Sequence, residues 1–450
     1  MHGNATGLDV ETAENPELHR DLCSDDDGYA MQRFVDELHP ICRSITGDGI
    51  RRTLALIRDC IPITRCQVPS GLQVFDRVVP DEWNIRDAYI QNSVGERIVD
   101  FRSSQRHVLV GSRPVRQRMS LADLKPHLFS DRDRPDLIPY RTTFDEASWG
   151  FCLPHSQLLS LPDGDYDVCI DSTLAPGHLS YGQLRLIGRT SEEFLIACDI
   201  GRPAPCNDSL SGIAVVTALA QRLSSLELRY SYRLLFVPGA IGAITWLSLN
   251  EAHLGRIRHG FVIGNVGDVG HVTYTSSRTE DAEIDRAWAY VLKQDGAPYH
   301  LRSFERSGYD EWPYGAPGVD LPVGCVTRSS PDPCNEGRAW ADDSSSVSPA
   351  SLGDALAKAL TTIDVIDNNA YYVGLKPFDE PGPDSGGSQE MSGITAALDE
   401  QTRMSILDRS DGQHSLLDIA SRANLPWQAV THAAHALHEA GLLKRADPQR

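Results

Sequence analysis

Three short stretches of turn-forming residues, two of them carrying carboxylates, adjoin apolar runs, and these are the places where chemistry could be done. The first is Cys198-Asp199-Ile200-Gly201-Arg202-Pro203, continuing to Asn207-Asp208-Ser209-Leu210-Ser211-Gly212, and it carries two aspartates from an apolar run into a helical pattern. Asn-Asp-Ser ahead of a helix is also ordinary turn and N-cap chemistry, so Asp208 or Ser209 reads equally well as a cap. The second is Val237-Pro238-Gly239-Ala240-Ile241-Gly242, where backbone amides opening a helix would receive an oxyanion or carboxylate; a plain tight turn fits as well. The third, Tyr309-Asp310-Glu311-Trp312-Pro313-Tyr314, crowds acids and aromatics into one loop, with Asp310 and Glu311 as candidate acid-base groups against the alternative of a solvated loop. His155, His178, His253, His259 and His271 show no ligand spacing. His432, His435 and His438 fall at i, i+3 and i+6 of one helical pattern, which a solvated helix face explains more simply than a metal. None of the 10 cysteines forms a CxxC pair, and they read as reduced thiols.

The elements that must position these loops alternate between strand and helix. Strands are expected at Tyr166 to Ile170, Glu193 to Cys198, Arg233 to Val237, Gly260 to Ile263 and Leu321 to Thr327. Helices are expected at Leu210 to Leu223, from Ile241 to Leu249, at Glu283 to Leu292 and at Pro349 to Ile366. Such alternation predicts an α/β fold with a mixed, mostly parallel sheet and helices on both faces. Ligands of such sheets bind beyond the C-terminal ends of the strands, where all three loops lie. Before this region, two helical patterns (around Met31 to Leu38 and Gly49 to Cys60) precede a Pro-punctuated, β-rich stretch. The expected organisation is a disordered tail over 1–28, an α/β domain from 29–66 and 165–375, an inserted β-rich domain over 67–164, a linker over 376–393, and a helical module with a terse hairpin over 394–450. That last pattern predicts a winged helix.

The chain has 450 residues, enough for two or three domains, and 41% of them are hydrophobic, enough for a substantial core. Its formal net charge of -20 disfavours nucleic acid and anionic membrane as default partners. No apolar run is long enough for a membrane span and no basic-then-apolar leader opens the chain, so a cytoplasmic location is expected. The helix Trp427 to Ala440 has no Lys or Arg, so nucleic acid is not the expected partner of the winged helix.

Several specific stretches carry a resemblance: Pro40-Ile41-Cys42-Arg43-Ser44-Ile45-Thr46-Gly47-Asp48-Gly49, Trp83-Asn84-Ile85-Arg86-Asp87-Ala88, Pro135-Asp136-Leu137-Ile138-Pro139-Tyr140, Trp149-Gly150-Phe151-Cys152, Ile170-Asp171-Ser172-Thr173-Leu174, Asn207 to Gly212, and Asp320-Leu321-Pro322-Val323-Gly324. With them the chain, from about residue 30 to about residue 445, resembles a bacterial zinc-aminopeptidase-like family with a C-terminal winged helix. The resemblance implies a di-zinc exopeptidase fold (aminopeptidase/phosphorylase-like) with an inserted β domain. It also implies a zinc site of histidines and carboxylates that activates water, in a setting of polysaccharide or natural-product biosynthesis.

The chain departs from that pattern where the ligands should be. The first family histidine corresponds to Asp199, the second to Arg202 and the distal one to Arg338. The family aspartate is Asp208, Asp268 matches a further acidic ligand, and Gly239 and Ala240 stand where related aminopeptidases have two glutamates. An arginine does not ligate a cation and would oppose a dication nearby. The expectation is therefore a degenerate zinc site, repurposed for an amino-acid-like or peptide-like ligand, with no cofactor. Arg202 and Arg338 would clamp an anionic group, Asp199 and Asp208 would orient those arginines or bind an amine, Tyr309 would line the site, and Glu311, with Asp310, would supply any acid-base chemistry. Two other readings stay open: an active metal-dependent aminopeptidase using Asp199, Asp208 and Asp268 around zinc or another divalent ion, and a non-catalytic peptide-binding or regulatory protein acting through the winged helix. A homo-oligomer also stays open.

Overall fold

The computed structural model describes residues 9–11, 21–22, 26–143, 148–202, 206–306, 310–329, 347–375 and 399–446. The expected tail, apart from a few residues, and the expected linker lie outside these. The described residues form two compact units, one of residues up to 282 together with 298–357, the other of 283–297 with 358 onward.

The first unit is built on a sheet of nine strands in the spatial order Asp9–Glu11, Thr64–Pro69, His178–Leu186, Ser231–Val237, Glu193–Asp199, Ile257–Ile263, Val323–Ser329, His271–Thr275, Tyr299–Arg302. The four strands from Ser231–Val237 to Val323–Ser329 are mutually parallel, and antiparallel pairs flank them. All seven residues of Glu193–Asp199 are buried, as a central strand covered on both faces requires. From this strand the chain steps to one side through helix Ser211–Ser224, reaching Ser231–Val237. It then crosses back through helix Gly239–Leu249 to Ile257–Ile263 on the other side. The strand order thus reverses at Glu193–Asp199, whose C-terminal residue is Asp199, and a crevice opens at such a reversal. Helix Ser211–Ser224 buries eleven of its residues. It can sit this close because Gly212 has no side chain: a Cβ there would lie 2.5 Å from the Ile263 carbonyl oxygen. Leu195, Ala197, Leu235, Val262, Trp246 and Val323 anchor the core on one side of this sheet.

The strand expected over Tyr166 to Ile170 is longer, Asp165–Ala175, and its partners differ from the expectation. It pairs antiparallel with Glu82–Gln91 and Val115–Ser120 in a separate four-stranded sheet completed by Arg97–Asp100. The side chains explain the choice: Tyr166, Val168 and Ile170 join a core with Trp83, Ile90 and Phe151 instead of extending the main one. The chain leaves the main sheet at Pro69 and re-enters it at His178, and these two residues are register partners.

In the second unit, helices Glu400–Arg409, Leu416–Ala423 and Trp427–Glu439 accompany a three-stranded sheet in the order Asp411–Ser415, Tyr371–Gly374, Leu443–Ala446. This is a winged helix whose central strand comes from before the 376–393 stretch, which sequence patterning did not anticipate. Helix Glu283–Asp295 belongs to this unit: the Tyr290 hydroxyl donates to the Leu425 carbonyl at 2.6 Å, and Arg286 pairs with Asp418. His432, His435 and His438 lie on the exposed face of their helix; His435 faces Glu439 and His438 the Leu443 carbonyl, so two of the three have local partners. No helix among the described residues is long and apolar enough to cross a membrane.

Candidate functional site

At the strand-order reversal the Asp199 carboxylate turns back into its own loop. Its Oδ1 accepts from the amides of Gly201 at 2.6 Å and Gly239 at 2.7 Å. Gly239 has φ +56, a left-handed conformation that glycine adopts without strain. The amides of the second loop thus receive a carboxylate, but one from the protein itself.

Arg202 follows three residues later and meets three carboxylates. Its Nε lies 3.1 Å from Asp199 Oδ2, its Nη1 2.6 Å from Asp208 Oδ2, and its Nη2 3.5 Å from Asp310 Oδ1. Asp208 therefore does not cap the following helix, which starts at Ser211 without a side-chain cap after a wide turn over Cys206–Leu210. That turn is held by Asn207, whose Oδ1 accepts from the Gly267 amide at 2.7 Å and whose Nδ2 donates to Asn265 Oδ1 at 2.6 Å. Behind the cluster, fully buried Arg43 donates through Nε to the Arg202 carbonyl at 3.3 Å and through Nη1 to that of Leu38 at 2.7 Å. The Tyr140 phenol lies within the field of Arg202, Asp199 and Asp208, and burial first of all pushes its pKa up, so the hydroxyl stays protonated.

Burial dominates the electrostatics. It raises the Asp199 pKa, against Arg202 and the two amides. It pushes Asp310 up to about 8, assisted by Asp199, Asp208 and Glu311 and opposed by Arg202. Among the described residues, Asp310 Oδ2 and the Tyr314 hydroxyl are buried with no hydrogen-bond partner. Glu311, next in sequence, is fully buried and contacts the thiol of Cys325, so it is Asp310 that reaches Arg202.

A carboxyl whose pKa is higher folded than unfolded favours folding when protonated, so its contribution is complete below about pH 4 and is lost as pH rises through the folded value. Stability should therefore fall between about pH 4 and pH 8. Asp199, whose pKa is also raised, shares the transition with Asp310. Asp310→Asn is expected to flatten this slope, read as a smaller drop in melting temperature from pH 5 to pH 8 than the parent chain shows. An unchanged slope would place the titration elsewhere.

Of the residues singled out in the sequence, Asp199, Arg202, Asp208 and Asp310 are brought together. Asp268 uses its carboxylate to accept from the Gly270 amide in its own turn. Tyr309 and Arg338 lie outside the described residues. Arg43 and Tyr140 were missed as site residues, although both fall inside stretches that carry the family resemblance. Among the described residues, no group of three or more His, Cys, Asp or Glu is placed to hold a metal ion.

The comparisons with known proteins agree with this architecture. Residues 32–369 match the family described as a domain of unknown function (DUF4910), and residues 387–445 match a winged helix-turn-helix family. A Clostridium acetobutylicum protein, provisionally named a polysaccharide biosynthesis protein with an aminopeptidase-like domain, is 41% identical over 426 residues, covering 94% of this chain and 97% of its own. The crystal structure of a provisionally named peptidase from Clostridium acetobutylicum superposes with a TM-score of 0.87 at 40% identity, covering 93% of this chain and 96% of that one. A zinc aminopeptidase from Bacillus subtilis shares the fold, with a TM-score of 0.55 at 12% identity over 75% of this chain and 94% of its own. The chain thus has an aminopeptidase-like α/β unit followed by a winged helix, and it belongs to the DUF4910 family.

Proposed function

We propose that this chain is an aminopeptidase-fold protein in which Arg202 stands where the related enzymes hold a metal, and that it binds an amino-acid-like or peptide-like ligand through the ligand's amine. The observation that carries this reading is the single guanidinium set among Asp199, Asp208 and Asp310. A permanent cation already lies among these carboxylates, so the described residues do not fit zinc, and no step is assigned to a metal. The name of the Clostridium acetobutylicum relative supports a biosynthetic setting.

This reading reverses the polarity expected from the sequence for Arg202. Its nitrogens face carboxylates, so it is poorly placed to clamp a ligand's anionic group, and Arg338 remains the candidate for that role. The carboxylates outnumber the guanidinium among them, and the low-dielectric surroundings strengthen their attraction for an incoming ammonium. Asp310 Oδ2, which has no partner among the described residues, would accept from it once Asp310 gives up its proton. With its raised pKa, Asp310 would also hold or release the proton of any chemistry that remains. We read the winged helix as a protein- or peptide-facing module, because Trp427–Glu439 carries no Lys or Arg.

Elemental analysis of the purified protein, combined with melting curves, tests this. Metal is expected well below one equivalent. Amino-acid amides should raise the melting temperature while their N-acetyl counterparts do not, and Asp208→Asn should remove that difference. Stoichiometric zinc, lost on chelation together with aminoacyl-amide hydrolysis, would establish instead the second reading, an active enzyme with a carboxylate-rich metal site.

A further inference from the structure

A cavity of about 310 Å³ lies where the 42–52 segment meets the four-stranded sheet, at the small end of the range for small-molecule sites. Three of the stretches that carry the family resemblance converge on it, and the site described above uses none of them except through Arg43. Helix Asp48–Arg58 contributes Asp48 and Arg52, strand Glu82–Gln91 contributes Asn84 and Arg86, and strand Asp165–Ala175 contributes Asp171 and Thr173. The register slips between Asp171 and Ser172, a bulge of the kind that re-aims side chains beside binding sites.

The walls are held by their own hydrogen bonds. Ser44 donates to the Thr46 carbonyl at 2.8 Å, Asn84 Oδ1 accepts from the Asp48 amide at 2.7 Å, and Ser172 donates to the Ser112 carbonyl at 2.8 Å. Arg86 and Asp171 lie side by side in a bidentate pair, at 3.0 and 2.7 Å. What the walls leave over is a matched set. Arg52 makes no ion pair among the described residues, and Thr173 is exposed at the pocket wall. Arg86 keeps Nη1 beyond the pair, the Asp171 carboxylate keeps further lone pairs, and Asp48 offers Oδ2, its Oδ1 being held by Arg51 Nε and Nη2 at 3.2 and 2.6 Å.

The charges of Arg52, Arg86, Asp48 and Asp171 cancel, so an anion gains two guanidiniums only by facing two carboxylates. Neighbouring hydroxyls do not meet that conflict, since each can donate to a carboxylate while accepting from a guanidinium. Ile85 and Cys42 add an apolar strip for the C–H face of a ring. We propose that this cavity is a sugar-binding pocket, taking a neutral, polyhydroxylated ring between the Arg86–Asp171 pair and Arg52. Apart from Arg52, which is exposed and makes no ion pair among the described residues, its walls are pre-set, so little ordering is required on binding. Cys42 lines it and is followed by Arg43, which bonds the Arg202 carbonyl, so the pocket and the carboxylate cluster are adjacent along one short backbone segment. The proposal rests on the pocket's own lining and holds whether or not an amine binds at Arg202.

Titration calorimetry of the full chain with methyl glycosides of neutral hexoses tests it, with inorganic phosphate as the competing probe. At least one glycoside is expected to bind with a Kd of about 1 mM or tighter, and Asp171→Asn or Arg86→Ala to weaken it by about tenfold. These side chains form an exposed pair, so the melting temperature without ligand should stay in place. Asp208→Asn should leave glycoside binding unchanged, which separates this pocket from the amine site. Absence of glycoside binding, unchanged affinity in Asp171→Asn, loss of affinity in Asp208→Asn, or displacement of the glycoside by phosphate would each overturn the proposal.

Discussion

Arg202→Met is expected to destabilise the protein by about 2–4 kcal/mol near neutral pH, somewhat less than the 3–5 typical of breaking a fully buried ion pair. The discount follows from the guanidinium, whose side chain is 34% exposed while that of Asp199 is 1% exposed. The loss should shrink toward pH 5, where protonation of the raised carboxyls removes the repulsion that Arg202 relieves. A second readout separates this from simple loss of packing. With the guanidinium gone, Asp199 Oδ2, Asp208 Oδ2 and Asp310 Oδ1 face one vacated place, and oxygen ligands of this kind suit Mg²⁺, Mn²⁺ or Ca²⁺. These ions should therefore raise the melting temperature of Arg202→Met and leave that of the parent chain unchanged. An equal response in both proteins would mean that Arg202 does not occupy a cation's place.

Gly49→Ala should be nearly as damaging, by about 3 kcal/mol, although it adds a single methyl group. A Cβ at Gly49 would lie 1.8 Å from the Cys42 carbonyl oxygen and 3.1 Å from Arg43 Cα. These are backbone atoms, so no side chain can swing aside, and the 42–43 segment itself must move. Arg43 would then lose its hold on the Leu38 and Arg202 carbonyls, so a remote glycine should also disturb the carboxylate cluster. Chemical denaturation measures the first effect, and the pH dependence of melting measures the second. Gly353→Ala is the control: it lies in helix Pro349–Asn368 with open space around its Cα, and alanine there should add roughly 0.5–1 kcal/mol. Equal effects at both glycines would refute the steric argument.

The sequence made the parallel core legible because burial on both faces leaves uninterrupted apolar runs. Glu193 to Cys198 reads as a strand without any neighbour being known, and the strand forms as Glu193–Asp199. Partner choice was not legible in the same way. Asp165–Ala175 and Glu193–Asp199 both look like strands, yet they enter different sheets, because the decision rests on which distant residues fill the cavity behind each. The winged helix hid its central strand for a similar reason: Tyr371–Gly374 is four residues long and far in sequence from Asp411–Ser415 and Leu443–Ala446.

At the candidate site, the aspartates stood out through their position after buried strands. The direction in which Arg202 points did not, since a guanidinium beside two acids in sequence is equally an exposed surface pair. Arg43 gave no local cue at all. Its charge is buried, and the carbonyls it reaches help make that burial tolerable.

The pairing of Pro69 with His178 makes everything between them, in the main sheet's terms, one very long hairpin loop. Its ends are already as close as a two-residue turn would hold them, and closure entropy grows only slowly with the length enclosed. The main sheet is therefore nearly indifferent to the length of that segment, although Val74 and Val79 at its start pack into the main core. Yet the segment supplies Trp83, Arg86, Tyr140 and Asp171, while the sheet and its loops supply Asp199, Arg202 and Asp208. Beyond Val74 and Val79 the segment packs around a core of its own, so its length and lining can change while the register of the main sheet stays in place.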